Sequence, residues 1–458
     1  MFSGRLSVSM FRRLLVANRG EVAVRIARAA RELGCTPIGV ASTADRGSDW
    51  TRAFDEMVCV GPAPPAESYL KAERLVQAAL QTRSSALHPG WGFLAEDRRF
   101  AQLCRQHGIA FIGPPAGVMA LLGAKSPAKR AMRAGGLEVV PGSDGPLRDV
   151  EAALLCAEAS DYPVLLKADY GGGGRGMRLA ANEAELREVF QAAQAEARSA
   201  FGSDSVYLER YVTAGRHIEV QLLVDGFGQA VHLGERECSV QRTHQKLIEE
   251  SPSPALSDDE RAALGKRAVQ AALSVGYENA GTMEFLRTPE GKFYFMEVNA
   301  RLQVEHPVTE MVSGIDIVHK QIEISAGRPL GLRQEDVRLQ GHSIECRINA
   351  EDPEANFRPA PGRIETFDIP TDRGPGRVRI DTHMTAGETI PPNYDSLIAK
   401  VIVHADFRES AIETMQNTLA AAQIEGVPTT VPLHLAVLSC EAFRSGNYDT
   451  GSIPGWSS

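Results

Sequence analysis

Residues 14–34, LLVANRGEVAVRIARAARELG, begin with an apolar run at 14–17 and pass through Asn18-Arg19-Gly20-Glu21. They continue as a stretch whose apolar positions recur at helical spacing until Gly34. This is a β-α unit. The runs PIGVAS (37–42), MVCVG (57–61), SALHPG (85–90) and IAFIG (109–113) are short and apolar and end in glycine, proline or small residues. Helical stretches such as YLKAERLVQAALQ (69–81) separate them. Such alternation predicts a parallel sheet with helices on its faces and ligands beyond the carboxyl ends of its strands. The first domain is expected to span residues 1–112.

A helical linker over 113–139 leads to a second compact unit, 140–212, with strands in YPVLLKA (162–168) and VYLERYV (206–212) around a glycine-rich turn. From residue 213 the pattern becomes alternating strands: HIEVQLLVD (217–225), QAVHLGERE (229–237), GTMEFLR (281–287), KFYFMEVNAR (292–301) and HSIECRINAE (342–351). A large mixed, mainly antiparallel sheet with helices packed on it is expected over 213–458. The fold class is therefore α/β, with α+β character in the C-terminal part.

Composition narrows the function. The chain has 458 residues, 43% of them hydrophobic, enough for two or three cores. A formal charge of -9 with scattered arginines gives no footprint for nucleic acid. No apolar run reaches the ~18 residues needed to span a bilayer, and the opening residues lack the apolar core of a secretory signal. A cytoplasmic protein without membrane or nucleic-acid partners is expected. The seven cysteines include no CxxC pair and read as reduced thiols. Residues before Met10 read as a tail or an upstream start.

Three motifs carry chemistry. In ADYGGGGRGM (168–177) four consecutive glycines let backbone amides wrap phosphate oxygens, with Lys167 and Arg175 flanking them. Alone, such a run reads more readily as a flexible surface turn; its place after a strand, beside cations, reverses that and favours phosphate. Second, if Glu290-Gly291 is a two-residue turn between GTMEFLR and KFYFMEVNAR, Glu284 and Glu297 face each other. Facing carboxylates repel unless a divalent cation lies between them, and alternation sets Asn299 and Arg301 on the same face as Glu297. A solvated charged face is the alternative; Glu305 and His306 in the following QVEH weigh against it. Third, RECSVQRTHQK (236–246) gathers Cys238, Gln241, His244 and Lys246 at a strand end, donors suited to phosphate or bicarbonate, or to an exposed basic loop.

These residues, together with LHPGWGFLAE (87–96), MEVNARLQVEHPVTE (296–310), ECRINAED (345–352) and PPNYDSLIAK (391–400), resemble the biotin carboxylase family from about residue 10 almost to the C-terminus. VANRGE and ECRINAED are not general ATP-grasp features. The resemblance implies an ATP-grasp fold whose middle domain is a mobile lid over ATP. It implies that Lys125 and Lys167 contact the phosphates and that Gly173 and Gly174 cover them. Glu209 would hold adenine with the backbone of Arg210, Tyr211 and Val212, Leu286 would pack on the base, and His217, Gln241 and His244 would complete the nucleotide site. Glu284, Glu297 and Asn299 would bind magnesium or manganese, two ions being expected. Lys246, Arg301 and the Val304 backbone would grip bicarbonate, with Glu305 as general base and Arg347 facing biotin.

The family reading also implies biotin supplied in trans on a biotin carboxyl carrier protein, since no Met-Lys pair occurs in the 458 residues. It further implies carboxyltransferase subunits and a homodimer; the final acceptor is open among acetyl-CoA, propionyl-CoA, methylcrotonyl-CoA, pyruvate and urea, with acetyl-CoA or a related acyl-CoA as the default. Another ATP-grasp ligase, such as half of a carbamoyl-phosphate synthase, would show a tandem second copy and lack the arginine motif at Arg347. A non-catalytic assembly subunit is the alternative outside enzymes. The chain departs from the family pattern at Asp169 and Tyr170, where a small residue and a glycine are usual, and at Thr243, where arginine is common.

Overall fold

The computed structural model describes residues 10–169 and 177–456; Gly173 and Gly174 lie outside the described residues, as do residues 1–9. Five short strands, β1 (Arg13–Val16), β2 (Thr36–Ser42), β3 (Glu56–Gly61), β4 (Ala86–His88) and β5 (Ala110–Phe111), form a parallel sheet in the order β3-β2-β1-β4-β5. The helix Gly20–Glu32 starts at a glycine with φ of +69° and buries Val22, Ala23, Ile26, Ala27 and Ala30. Burying Val22 and Ile26 contributes roughly 1.5–3 kcal/mol each. At the carboxyl end of β1, Asn18 Nδ2 donates to the carbonyls of Pro89 and Trp91, both at 2.7 Å, tying together the loops that follow β1 and β4.

The middle unit is a three-stranded antiparallel sheet, β7-β6-β8, from β6 (Val164–Ala168), β7 (Arg178–Ala180) and β8 (Val206–Arg210). Helices Val150–Ser160 and Glu183–Phe201 close its apolar core of Ala153, Ala157, Leu166, Leu186, Ala193 and Leu208.

Eight further strands make one sheet. They are β9 (Arg216–Val224), β10 (Ala230–Arg242), β11 (Gln245–Ser251), β12 (Asn279–Arg287), β13 (Phe293–Asn299), β14 (His342–Asn349), β15 (Arg377–Thr382) and β16 (Leu397–Ala405), in the order β13-β12-β9-β10-β11-β14-β16-β15. Their pairings are antiparallel, and an isolated parallel bridge joins Val139 to Phe295. Alternation divides β9 between two environments. Ile218, Val220, Leu222 and Val224 pack under helices Lys125–Ala134 and Asp258–Ser274, while His217, Glu219 and Gln221 occupy the alternate positions. Ile344, Cys346 and Ile348 of β14 enter a second core with helix Arg408–Ala421, so Glu345, Arg347 and Asn349 take the alternate positions there. No helix among the described residues is long and apolar enough to cross a membrane.

The hairpin of β12 and β13 reaches its expected pairing by a different route. Thr288 N donates to Lys292 O at 2.8 Å and Gly291 N to Thr288 O at 3.0 Å, closing a three-residue loop with Gly291 at φ +83°. That loop alone would slide Glu284 off Glu297. A bulge with Met296 as the extra residue restores the register, and Glu284 pairs with Glu297. The two-residue turn is therefore corrected, and the facing carboxylates stand.

Candidate active site on the polar face of the large sheet

Register places three carboxylates in a row on adjacent strands: Glu297 pairs with Glu284, and Glu284 with Glu219. Arg236 is the next residue in the row, opposite Glu219. Cross-strand neighbours stand about 5 Å apart at Cβ, so three bare anions there would repel one another strongly. Three cations and a histidine offset them. Lys125 pairs with Glu297 and Arg236 with Glu219, while His217 Nε2 lies 3.0 Å from Glu284. Lys246 Nζ donates to Glu219 at 2.5 Å, Glu284 at 2.9 Å and Glu305 at 2.7 Å.

Lys246 reaches this centre because β10 and β11 turn through Thr243-His244, both at positive φ (+46° and +66°), which sets Gln241 opposite Lys246. Thr243 thus serves a tight turn, and His244 sits exposed at its tip. Burial opposes ionisation of Glu305, yet Lys246, Arg347 and Arg236 hold its carboxyl well below the usual range. Burial likewise opposes ionisation of Glu284, and Lys246 and His217 hold it low. Glu305 has no exposed surface; its second oxygen accepts from Arg347 at 2.9 Å. Arg347 Nε donates to Glu249 at 2.6 Å.

Asn299 Nδ2 donates to Glu284 at 2.7 Å, and Arg301 donates to Asn299 Oδ1 at 3.0 Å and to Glu96 at 2.8 Å. Val304 follows; its carbonyl accepts from Lys400 at 2.9 Å, so an anion there would be met by its N–H. Arg301, Asn299, Glu284, Lys246, Glu305 and Arg347 are thus joined by hydrogen bonds in one chain, while Glu297 stands opposite Glu284 on Lys125 and Val304 lies next to Glu305 on Lys400. The nucleotide residues divide. On the middle unit, Glu209 is buried between Lys129 and Lys167, each at 2.5 Å, and against its burial these lysines hold its carboxyl down to about 2. Tyr211 is exposed, and Arg210 donates to Tyr294 at 3.1 Å. Val212 and Leu286 are half-buried, and Leu286 pairs with His217 across strands. Asp169 is buried; its carboxylate accepts from Ser126 N at 2.9 Å, which fixes the start of helix Lys125–Ala134 and accounts for the departure there.

Glu219, Arg236, Glu249, Lys129 and Glu96 were not expected from sequence. The available signal was phase: His217, Glu219 and Gln221 share one face of a buried strand, as do Glu345, Arg347 and Asn349 of another. For a divalent ion, His217, Glu219 and Glu284 offer ligand atoms within 4.8 Å of one another. With Glu297 opposite Glu284 and Asn299 bonded to it, this oxygen-rich set fits magnesium or manganese.

Three family models match successive stretches: "Biotin carboxylase, N-terminal domain" over residues 10–119, "Carbamoyl-phosphate synthase L chain, ATP binding domain" over 124–333 and "Biotin carboxylase C-terminal domain" over 345–454. Biotin carboxylase 1 of Populus trichocarpa, chloroplastic, is 50% identical over 442 residues, which are 96% of this chain and 83% of that one. The biotin carboxylase of Campylobacter jejuni in its β,γ-ATP complex superposes with a TM-score of 0.94 at 44% identity, covering 97% of this chain and 98% of the other. The biotin carboxylase domain dimer of Hydrogenobacter thermophilus 2-oxoglutarate carboxylase, in complex with MgADP, ADP and bicarbonate, gives 0.93 at 46%, covering 96% and 97%. Agreement of this extent over the whole fold, at a site with this charge arrangement, shows that the chain belongs to the biotin carboxylase family of ATP-dependent ligases.

Proposed function

We propose that the enzyme uses ATP and bicarbonate to carboxylate biotin carried on a separate biotin carboxyl carrier protein, through carboxyphosphate. The single observation that carries this reading is Glu305, a wholly buried carboxylate held between Lys246 and Arg347 beside the carboxylate row. The nucleotide, magnesium and bicarbonate of the Hydrogenobacter complex support it. Bicarbonate binds Lys246, Arg301 and the Val304 N–H. As Lys246 turns to the anion, Glu305 loses one of its two partners, its basicity rises, and it takes the bicarbonate proton. The freed oxygen attacks the γ-phosphorus and ADP leaves.

Carboxyphosphate then breaks to carbon dioxide and phosphate. Phosphate takes the ureido N–H proton as nitrogen attacks carbon dioxide, and Arg347 stabilises the negative oxygen that develops on the ring. Lys125 and Lys167 exchange Glu297 and Glu209 for nucleotide phosphates, and the middle unit acts as the lid that excludes water. Adenine lies along the backbone of 209–212 and against Leu286, with His217, Gln241 and His244 lining the nucleotide. Glu284, Glu297 and Asn299 would hold two magnesium or manganese ions, which neutralise triphosphate charge when bound.

The carboxyl group then passes through carboxyltransferase subunits to acetyl-CoA or a related acyl-CoA, and the enzyme works as a homodimer. No Met-Lys pair occurs in these 458 residues, so a carrier lysine lies outside them. The deciding assay is ADP release by the purified chain with bicarbonate, with and without free biotin, followed by reconstitution with carrier and carboxyltransferase. ADP release indifferent to both bicarbonate and biotin would refute the reading.

A further inference from the structure

Behind Arg347 lies a second pair of acids that the reaction above does not use. Glu249 of β11 and Glu345 of β14 are cross-strand partners, and neither side chain reaches solvent. Glu249 Oε1 accepts from Arg347, whereas Glu249 Oε2 and both oxygens of Glu345 have no hydrogen-bond partner among the described residues. Two ionised carboxylates facing each other in a dry sheet, three of their four oxygens unpartnered, would carry a large desolvation cost with no compensation. The nearby cations are committed. Arg347 serves Glu249 and Glu305, and Lys246 serves Glu219, Glu284 and Glu305. Lys400, opposite Arg347 in the sheet, donates to Val304 O and lies 3.2 Å from Glu21 and 3.9 Å from Asp381. The buried thiols of Cys238 and Cys346 and the buried His306 are held neutral by their burial and contribute no positive charge.

We propose that Glu249 and Glu345 share one proton in the resting enzyme, and that this proton makes Glu345 a positioning residue for Arg347. Glu345 carries the proton because it has no cation bonded to it; its O–H is the donor that the bare Oε2 of Glu249 lacks. Burial raises both carboxyl groups above the ordinary range, and each is pushed further by acidic neighbours. With one proton present, Glu249 is a single carboxylate and Arg347 bridges it to Glu305 at the edge of the reacting centre. With none, two buried carboxylates pull the guanidinium back into the sheet and away from biotin. With two, Arg347 loses its rear anchor. The proposal rests on the reading of Arg347 as the biotin-facing cation.

The test uses the full chain and two readouts. Infrared spectra of wild type and Glu345→Gln are compared for the carbonyl stretch of an un-ionised carboxylic acid. The band is expected in wild type at neutral pH, to fade as the pH rises, and to be missing from Glu345→Gln. In parallel, the alkaline limb of carboxybiotin formation is expected to move up by about one pH unit or more in Glu345→Gln, while bicarbonate-dependent ATP cleavage keeps its profile. A purely structural role would move neither limb. If Glu345→Gln does not fold, Glu249→Gln serves: with the acidic neighbour that raises Glu345 gone, its acid band should fade at lower pH than in wild type, and KM for biotin should rise about tenfold with KM for ATP unchanged. No acid band in wild type, or the same alkaline limb in both proteins, overturns the proposal. A wild type with the band but without biotin-dependent turnover would instead overturn the functional reading.

Discussion

Replacing Glu305 by Gln and Arg347 by Ala separates the two halves of the proposed reaction, and the structure fixes how differently they should behave. Glu305 touches both Lys246 and Arg347, one through each oxygen. A glutamine keeps one acceptor and turns an N–H₂ toward a second cation, so base and orientation are lost together. Bicarbonate-dependent ADP release and carboxybiotin formation should both fall by ~10²–10⁴-fold. Arg347→Ala removes one of the cations that hold Glu305 ionised at low pH, so the base strengthens rather than weakens. ATP cleavage should persist while carboxybiotin formation falls by ~10²–10³-fold, the size of a lost oxyanion donor. Arg347→Ala also strips a partner from two wholly buried carboxylates, at a cost of about 3–5 kcal/mol in urea unfolding at neutral pH. ADP is followed by a coupled assay and carboxybiotin by retained bicarbonate label. Parallel loss of both activities in a folded Arg347→Ala protein, or normal ATP cleavage by Glu305→Gln, would refute the assignment.

Three further outcomes follow from the same geometry. Glu284→Gln or Glu297→Gln should raise the magnesium concentration for half-maximal turnover by about tenfold or more with the fold intact, because each removes one of two facing ligands; unchanged metal dependence in both would exclude the site. Lys246→Met should destabilise by about 3 kcal/mol at pH 7–8, because Glu219 keeps Arg236, Glu305 keeps Arg347 and Glu284 keeps its contact with His217. Lys246 lowers the folded-state values of Glu284 and Glu305, so its contribution is present above about pH 4 and lost below it. The gap between the two proteins, read from urea midpoints, should therefore hold down to about pH 4 and close as the pH falls further. An avidin blot of the purified chain should be negative, and a biotin-specific signal would place the carrier lysine within it.

Sequence patterns revealed faces but not what covers them. The β-α reading of 14–34 and the phase of HIEVQLLVD both hold, since helix Gly20–Glu32 and the alternating burial of β9 follow the expected positions. An alternation of apolar and polar residues ordinarily means a strand with one wet side. Here Glu219 is as buried as Ile218. Beside Glu219 the polar side is closed by helix His306–Ser313, whose Thr309 accepts from Arg236, and at β16 Glu21 of the N-terminal domain reaches Lys400. Partner choice was hidden for a topological reason. Glu284 and Glu297 share a hairpin and declare themselves, but Glu219 joins their row only because β12 lies beside β9, a neighbour far away in sequence. Glu249 and Glu345 meet by the same kind of non-local pairing.

The charge plan of this face explains how a site for several anions stays folded without them. Each cation assigned to a substrate already rests on a carboxylate: Lys125 on Glu297, Lys167 on Glu209, Lys246 on Glu284 and Glu305, Arg347 on Glu305 and Glu249. On the proposed reading, nucleotide and bicarbonate bind by exchange, drawing cations from acids that are buried at Glu209, Glu249, Glu284 and Glu305 and part-buried at Glu297. The acids then need positive charge from elsewhere, and Glu284 and Glu297, facing each other, are placed to take it from the divalent ions that accompany ATP. A nucleotide without its metal would strip Lys125 from Glu297 and return nothing. On that reading, coupling between metal and nucleotide follows from the carboxylate row, set by the register of β12, β13 and β9.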